Sequence, residues 1–355
     1  MRVLMLGTTN SPHVEDLAVE LRDRDIEIVV GGETAPNLPS STLPSRGVRV
    51  EPAPMGWGGI QLVRRVRWVR RLVREVRPDV VHAHYLVESP FHAVLGGVRP
   101  LVATAWGTDV LAGRRVGRLR SLLVSRRADL LTADSQALLD AVAALGARRS
   151  RLRLINWGVD LDTFSPGRTE ARKRLGLADV PIVLAPRALK RVYNPETVVS
   201  AFGHLADEFP EALLVLKHYG NLPPSLAGLR LRDNVRIVGH VPIEELADYY
   251  RAANVCVSIS SSDSSPRTVW EAMACGCPCV VSDLRWVHEL ITDGHDAVVT
   301  QIDARRVAGA IGRILRDDEL AVSLAENGRS LVERHHSRST EIDRLIDAYR
   351  AVLRA

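Results

Sequence analysis

Short apolar runs closed by Gly or Pro alternate, along the first half of the chain, with longer stretches of helical spacing. Val3-Leu4-Met5-Leu6 ends at Gly7, Val14 to Leu21 repeats with a helical period, and Ile26 to Val30 ends at Gly31-Gly32. A Pro-rich loop leads to Val48-Arg49-Val50, and the amphipathic stretch Gly59 to Val76 leads through Pro78 to Val80-Val81-His82. Further strands are predicted at Leu101 to Thr104, Leu130 to Thr132 and Leu152 to Ile155. Strands that alternate with helices form a parallel sheet covered on both faces.

The period breaks around Thr163 to Arg168 and resumes at Ile182 to Leu184, Ala212 to Lys217, Val235 to Val238, Val255 to Ile259 and Cys279 to Val281. The expected fold class is α/β, with two doubly wound, Rossmann-like domains facing each other across a cleft. Residues 1–164 form the first and 165–339 the second, and a C-terminal helix over 340–355 packs back on the first. Sheets of this kind bind ligands beyond the carboxyl ends of their strands, so the cleft is the default site.

Composition agrees with two cores: the chain has 355 residues, 46% apolar and 25% charged, which excludes disorder, collagen and coiled coil as whole-chain answers. Net charge is +5, but Lys173, Lys190 and Lys217 are the only Lys among 47 basic residues, a skew toward Arg that makes bulk basicity a weak argument for nucleic acid. No recognition module appears, and no nucleic-acid partner is expected. The apolar run after Arg2 is too short for a secretory signal and no apolar run reaches the length of a membrane span, so a cytoplasmic chain is expected.

Several chemistries lose their support. No G-x-G-x-x-G follows the first strand, and no Lys lies in a P-loop context. Cys275-Gly276-Cys277-Pro278-Cys279 lacks the paired spacing of a zinc site, and with Cys256 reads as buried, reduced thiols. Asp160-Leu161-Asp162 has a spacing that some transferases use for a metal, but a hard cation wants more oxygen ligands than this segment offers. Neither a metal nor a cofactor is expected.

The informative segment runs from Ser260 to Pro278. Ser265 is the expected N-cap, Pro266 the first helical residue and Gly276 the left-handed C-cap, bracketing a helix of about ten residues after a strand. Its first turn, with Ser264, Ser265, Arg267 and Thr268, is a candidate anion site. Asp263 precedes the helix and Glu271 follows on the order of 12 Å further along, matching a diphosphate with a sugar on each side. Carboxylates accept hydrogen bonds from vicinal hydroxyls. The competing structural reading pairs Glu271 with Arg267, in the weaker i,i+4 orientation, and makes Asp263 a turn residue.

The run Glu271-Ala272-Met273-Ala274-Cys275-Gly276-Cys277-Pro278, with Asp263 before it, resembles the E-x7-E signature of the GT-B glycosyltransferases of family 4. Pro78 to His84, Asn156 to Pro166 and Asn234 to Pro242 agree in order and spacing, so the resemblance covers nearly the whole chain. It implies a GT-B architecture and a metal-independent, retaining transfer of a sugar from a nucleotide-diphosphate donor, UDP- or GDP-linked, to a saccharide, lipid-linked or small-molecule acceptor. By resemblance Glu271 binds the donor ribose, Asp263 the donor sugar hydroxyls, and the backbone near Val241 the base. Arg187 and a second cation neutralise the leaving diphosphate. Lys190 is preferred to Arg191 for that second role, since the usual spacing falls on Val192.

Departures from the pattern are informative. Asp263 stands for the usual first Glu, and Trp106 stands where many relatives have a His that touches the donor sugar, a role that Asp109 on the same loop could fill. The Gly7 to His13 loop lacks the usual Gly-Gly, leaving His13 as a candidate for acceptor or phosphate. Two alternatives stay open: a nucleotide-sugar epimerase or hydrolase on the same fold, or a catalytically idle, membrane-associated homologue.

Arg64, Arg65, Arg67, Arg70, Arg71 and Arg74 interleave with apolar residues and Trp68, and a second cluster holds Arg114, Arg115, Arg118, Arg120, Arg126 and Arg127. Such a helix either covers the sheet with a solvated Arg face or lies on an anionic membrane, making the protein peripheral on the inner face of the cell membrane.

Overall fold

The computed structural model describes residues 1–354 other than 37, 55–57, 112–114, 219–225 and 227–232. It divides into two units, Met1–Trp157 with Thr340–Ala355, and Gly158–Ser339.

In the first unit the strands are β1 (Arg2–Leu6), β2 (Glu27–Gly32), β3 (Arg49–Pro52), β4 (Val80–His84), β5 (Leu101–Thr104), β6 (Leu130–Ala133) and β7 (Leu152–Leu154). They form one parallel sheet in the order β3-β2-β1-β4-β5-β6-β7. Because side chains alternate along a strand, Leu4 and Leu6 bury on one face and Val3 and Met5 on the other. The first face is covered by Trp68, Val69, Leu72 and Val76 from the helix Gly59–Val76. The second is covered by the helix Pro12–Arg22 and by Ile342, Leu345, Ile346 and Tyr349 from the C-terminal segment.

The second unit repeats the plan with β8 (Ile182–Ala185), β9 (Leu213–Lys217), β10 (Val235–Val238), β11 (Val255–Ser258), β12 (Cys279–Ser282) and β13 (Val298–Thr300), ordered β10-β9-β8-β11-β12-β13. All its pairings are parallel. Ile182 and Leu184 face one core, Val183 and Ala185 the other. In both sheets the first strand of the unit lies where the strand order reverses, at β1 and β4 in one and β8 and β11 in the other, the position at which such sheets bind ligands.

Three expectations change. The strand β13, Val298–Thr300, was not predicted. The division between the units falls after Trp157 instead of after residue 164, since Val159 bonds the His336 carbonyl and belongs to the second unit. The bracketed helix is Arg267–Ala274 with Pro266 at its N-cap; Ser265 has a φ of 50° in the left-handed region and is not the cap.

Candidate functional site

The second unit gathers most of the sequence-predicted groups. Arg187 follows β8, Asp263 follows β11, and Thr268 sits in the first turn of the helix Arg267–Ala274. The Arg187 guanidinium donates to Asp263 Oδ2 at 2.8 Å and to Thr268 Oγ1 at 3.3 Å, and it lies 4.0 Å from the centre of the Tyr193 ring. Asp263 also accepts from Ser260 Oγ at 3.0 Å and from the Ser264 backbone N–H at 3.0 Å. Asp263 is therefore a hub between two loops, and Arg187, expected from sequence to neutralise the diphosphate, is paired with it. Charge-assisted bonds of this kind are about twice as strong as neutral ones, so the pair fixes both side chains in position.

Glu271 is buried at 4% exposure. Arg267 Nε donates to its Oε1 at 2.7 Å and the Tyr250 hydroxyl to its Oε2 at 3.1 Å. The i,i+4 pair that the sequence reading discounted is thus formed; burial strengthens it beyond its value on an exposed helix. Burial, with Glu271 beside it, pushes the Tyr250 phenol well above its ordinary range, so it stays a hydrogen-bond donor. Lys217, at the end of β9, has its ammonium pushed down by burial, with Glu271 opposing that shift and Arg267 adding to it. The sequence reading gave neither Tyr250 nor Lys217 a role. A Lys at the carboxyl end of a strand, in a chain with three, was the available signal.

Ser265 is spent inside the unit: its Oγ accepts from Trp270 Nε1 at 2.9 Å. Trp270 in turn stacks on His336 at 3.9 Å. Lys190 and Arg191 are exposed beside the short 3-10 turn Arg191–Tyr193, and their side chains have no recorded partner among the described residues. Asn194, overlooked in the sequence, ties this loop to β11 through the Ile259 carbonyl at 3.1 Å and Ser261 Oγ at 2.8 Å. Its φ of 47° is one that Asn tolerates and most residues resist. Val241 is half-buried and packs with Ile243 and Leu246 on the core. Asp160 accepts from Thr163 Oγ1 at 2.6 Å and from the Asp162 N–H at 3.1 Å, closing a local turn. No group of three potential metal ligands occurs among the described residues. The four cysteines are buried and free.

In the first unit, Asp109 is 1% exposed and holds the backbone N–H groups of Leu86 at 2.7 Å and Trp106 at 3.0 Å. It shapes the loop and presents no oxygen to a ligand, contrary to the expectation of a sugar contact. Burial raises its carboxyl to about 6 despite those bonds. His13 lies 4.7 Å from the Trp157 ring and 5.3 Å from Trp106, with His84 6.0 Å from each Trp. In the basic helix, Arg65 pairs with Glu33 and Arg70 donates to the Gly96 carbonyl at 3.0 Å, leaving Arg64, Arg67, Arg71 and Arg74 exposed. Arg114 lies outside the described residues.

Residues 11–163 match the family described as glycosyltransferase family 4, and residues 167–331 match glycosyl transferases group 1. The D-inositol 3-phosphate glycosyltransferase of Xylanimonas cellulosilytica is 32% identical over 297 residues, covering 72% of this chain and 68% of that protein. The chain belongs to the family 4 glycosyltransferases. Among solved structures, sucrose-phosphate synthase from Thermosynechococcus elongatus superposes with a TM-score of 0.86 at 23% identity, over 99% of each chain. HepE from Anabaena, in complex with UDP-glucose, gives 0.82 at 19% identity over 99% of this chain and 100% of that one. These likenesses establish the GT-B fold, and the enzyme is a glycosyltransferase.

Proposed function

We propose that the enzyme moves a sugar from a nucleoside-diphosphate donor to an acceptor hydroxyl, with retention of anomeric configuration and without a metal ion. What carries this reading is the meeting of Arg187, Asp263 and Thr268 beside the first turn of the helix Arg267–Ala274, at the strand-order reversal of the second sheet. A diphosphate there meets the Arg187 guanidinium, the first-turn N–H groups and the exposed ammonium of Lys190, the preferred second cation, with Arg191 next to it. Glu271, oriented by Arg267 and Tyr250, keeps lone pairs for the ribose hydroxyls, and Asp263 keeps its own for the donor sugar.

In this reaction the acceptor oxygen bonds to the anomeric carbon on the face from which the diphosphate departs. The bond from that carbon to the phosphate oxygen breaks, and the acceptor proton passes to the departing phosphate oxygen. No protein nucleophile takes part. The UDP-glucose complex of HepE favours a UDP-linked donor over a GDP-linked one, and the relatives named D-inositol 3-phosphate glycosyltransferase favour a small, phosphorylated acceptor.

A second reading concerns location. No helix among the described residues is long and apolar enough to cross a membrane. Ile60 and Val63 are 73% and 49% exposed beside the exposed Arg of their helix, and Val116 and Leu119 are 65% and 67% exposed beside Arg115 and Arg118. Apolar tips among cations support reversible docking on an anionic membrane surface. Trp68, the aromatic interleaved with these Arg, is buried in the core and is not among the exposed apolar tips.

A thermal-shift screen with UDP, GDP and ADP tests the donor assignment. At 100 times its dissociation constant the right nucleotide stabilises the fold by about 2.7 kcal/mol. A flat response to all three removes it.

A further inference from the structure

We infer that Lys217 reads the base of the nucleotide donor, favouring a base that presents a carbonyl oxygen over one that presents an amino group in its place. This rests on the donor reading proposed above and assigns the base specificity of that site to one side chain.

Lys217 is the last residue of β9, and the alternation of side chains along a strand fixes the face on which it emerges. Val215 and Leu213, two and four residues before it, pack in the core that holds Tyr250 and Trp270. Lys217 therefore stands on that face, where the apolar core gives way to the carboxyl ends of the strands. Its neighbour across the ladder is Val238, at the end of β10. The His218 N–H donates to the Val238 carbonyl at 2.8 Å and ties the two strand ends together.

The order of the strands lays out the donor. Asp263 follows β11, Arg187 follows β8 and Lys217 closes β9, and these are successive neighbours in the order β10-β9-β8-β11. Neighbouring strands lie about 4.8 Å apart, so each step along the sheet covers roughly one ring or one diphosphate. With the donor sugar at Asp263 and the diphosphate at Arg187, the nucleoside falls at the end of β9, on the face where Glu271 takes the ribose hydroxyls. The base, one ring further from the diphosphate, comes to the ends of β9 and β10, beside Lys217.

Lys173 and Lys190 are exposed, whereas Lys217 is half-buried, yet its ammonium makes no hydrogen bond or ion pair among the described residues. Glu271 is near enough to favour the charge but does not pair with it, its two oxygens being held by Arg267 and Tyr250. A partly desolvated ammonium with open donors calls for an acceptor, and here a ligand supplies it. An ammonium has three donors and no acceptor. Uracil turns O4 and guanine O6 toward such a donor, whereas cytosine and adenine place an amino group at the corresponding position. Two donors face to face leave both unsatisfied, so the ammonium that holds an oxo base also rejects an amino base. Service to the ribose or the diphosphate alone would strengthen all nucleotides alike, which experiment separates.

Calorimetric titration of the wild type, Lys217→Met and Lys217→Arg with UDP, CDP and ADP tests it. The wild type is expected to bind UDP about tenfold or more tighter than CDP and ADP. In Lys217→Met, which keeps the reach of the side chain and removes its charge, UDP should weaken by about tenfold while CDP and ADP move by less than about twofold, their binding showing that the fold is intact. Lys217→Arg, which keeps the charge and the donors, should retain the preference for UDP. An equal loss for all three nucleotides in Lys217→Met, or no loss for any, overturns the base assignment and leaves the donor reading standing. A wild type that binds UDP but holds CDP or ADP as tightly does the same. A wild type that binds none of the three removes the donor reading, and this inference with it.

Discussion

Arg187 and Asp263, 76 residues apart in the chain, meet through a 2.8 Å ion pair in which each side chain is 15% exposed. The pair joins the loop after β8 to the loop after β11, so cation and carboxylate enter the site as one rigid piece. Removing either leaves the other poorly paired, which costs more than an exposed pair would. Asp263→Ala and Glu271→Ala are each expected to lower turnover by about tenfold or more, and Glu271→Gln by less, because it retains an acceptor for Tyr250. Steady-state kinetics on both variants checks this, and wild-type values in both would end the donor-site assignment.

Metal independence is the next expectation. Arg187, Lys190 and the helix terminus supply the positive charge, so dialysis against EDTA should leave the rate unchanged. If EDTA stopped turnover and Mg²⁺ or Mn²⁺ restored it, Asp160 and Asp162 would need reconsidering.

Stability should fail locally at Gly158. Its φ of 68° is left-handed, and a Cβ there would collide with the backbone of Arg338, which is itself bonded to Val159. Gly158→Ala is expected to cost about 2 kcal/mol or more and to lower the melting temperature by about 5 °C. Calorimetry reads both; an unchanged melting temperature contradicts the packing described here.

Acid should weaken the fold through buried imidazoles. Burial holds His84 at about 3, and burial with Arg65 and Arg120 holds His92 at about 4, against an ordinary 6.5. The unfolded rings bind protons first, so this stability is present above pH 6.5 and is lost as pH falls toward 4. Asp109, raised by burial to about 6 from 3.8, acts oppositely, its contribution fading as pH rises across that interval. At pH 5 His92→Asn should recover about 2 kcal/mol of the loss, while Asp109→Asn should steepen the slope. Urea midpoints between pH 5 and pH 7 would show it, and parallel profiles in all three proteins would refute it.

Membrane docking should draw chiefly on the exposed Arg of the helix Gly59–Val76, with Arg64 and Arg67 unpaired among the described residues, Arg71 sharing its charge with Glu75, and Arg65 and Arg70 held within the unit. At about 1 kcal/mol for each unpaired Arg near an anionic leaflet, and less for Arg71 beside Glu75, these exposed Arg predict reversible, salt-sensitive binding. Sedimentation with phosphatidylglycerol vesicles, with Arg67→Glu/Arg71→Glu as control, measures it. Wild type remaining in the supernatant at low salt would make the helix a covering element alone.

The period of apolar residues was enough to locate twelve of the strands and to predict two parallel sheets, because burial on both faces forces continuous apolar runs at regular intervals. The spacing of Asp263, Glu271, Gly276 and Pro278 likewise marked the helix that carries the donor-site candidates, since caps and breakers act locally. What local pattern could not decide was partnership. That Arg187 reaches Asp263, that Tyr250 and Arg267 divide Glu271 between them, and that Asp109 turns inward to two backbone N–H groups all depend on which strand ends lie side by side. Ser265 made the same point at one residue: its identity reads as a cap, but Trp270 claims its hydroxyl and the backbone turns left-handed there. Sequence fixes such elements through interactions within a few residues, whereas the pairing of buried polar groups is set by contacts dozens of residues apart, where only the packed sheets determine who meets whom.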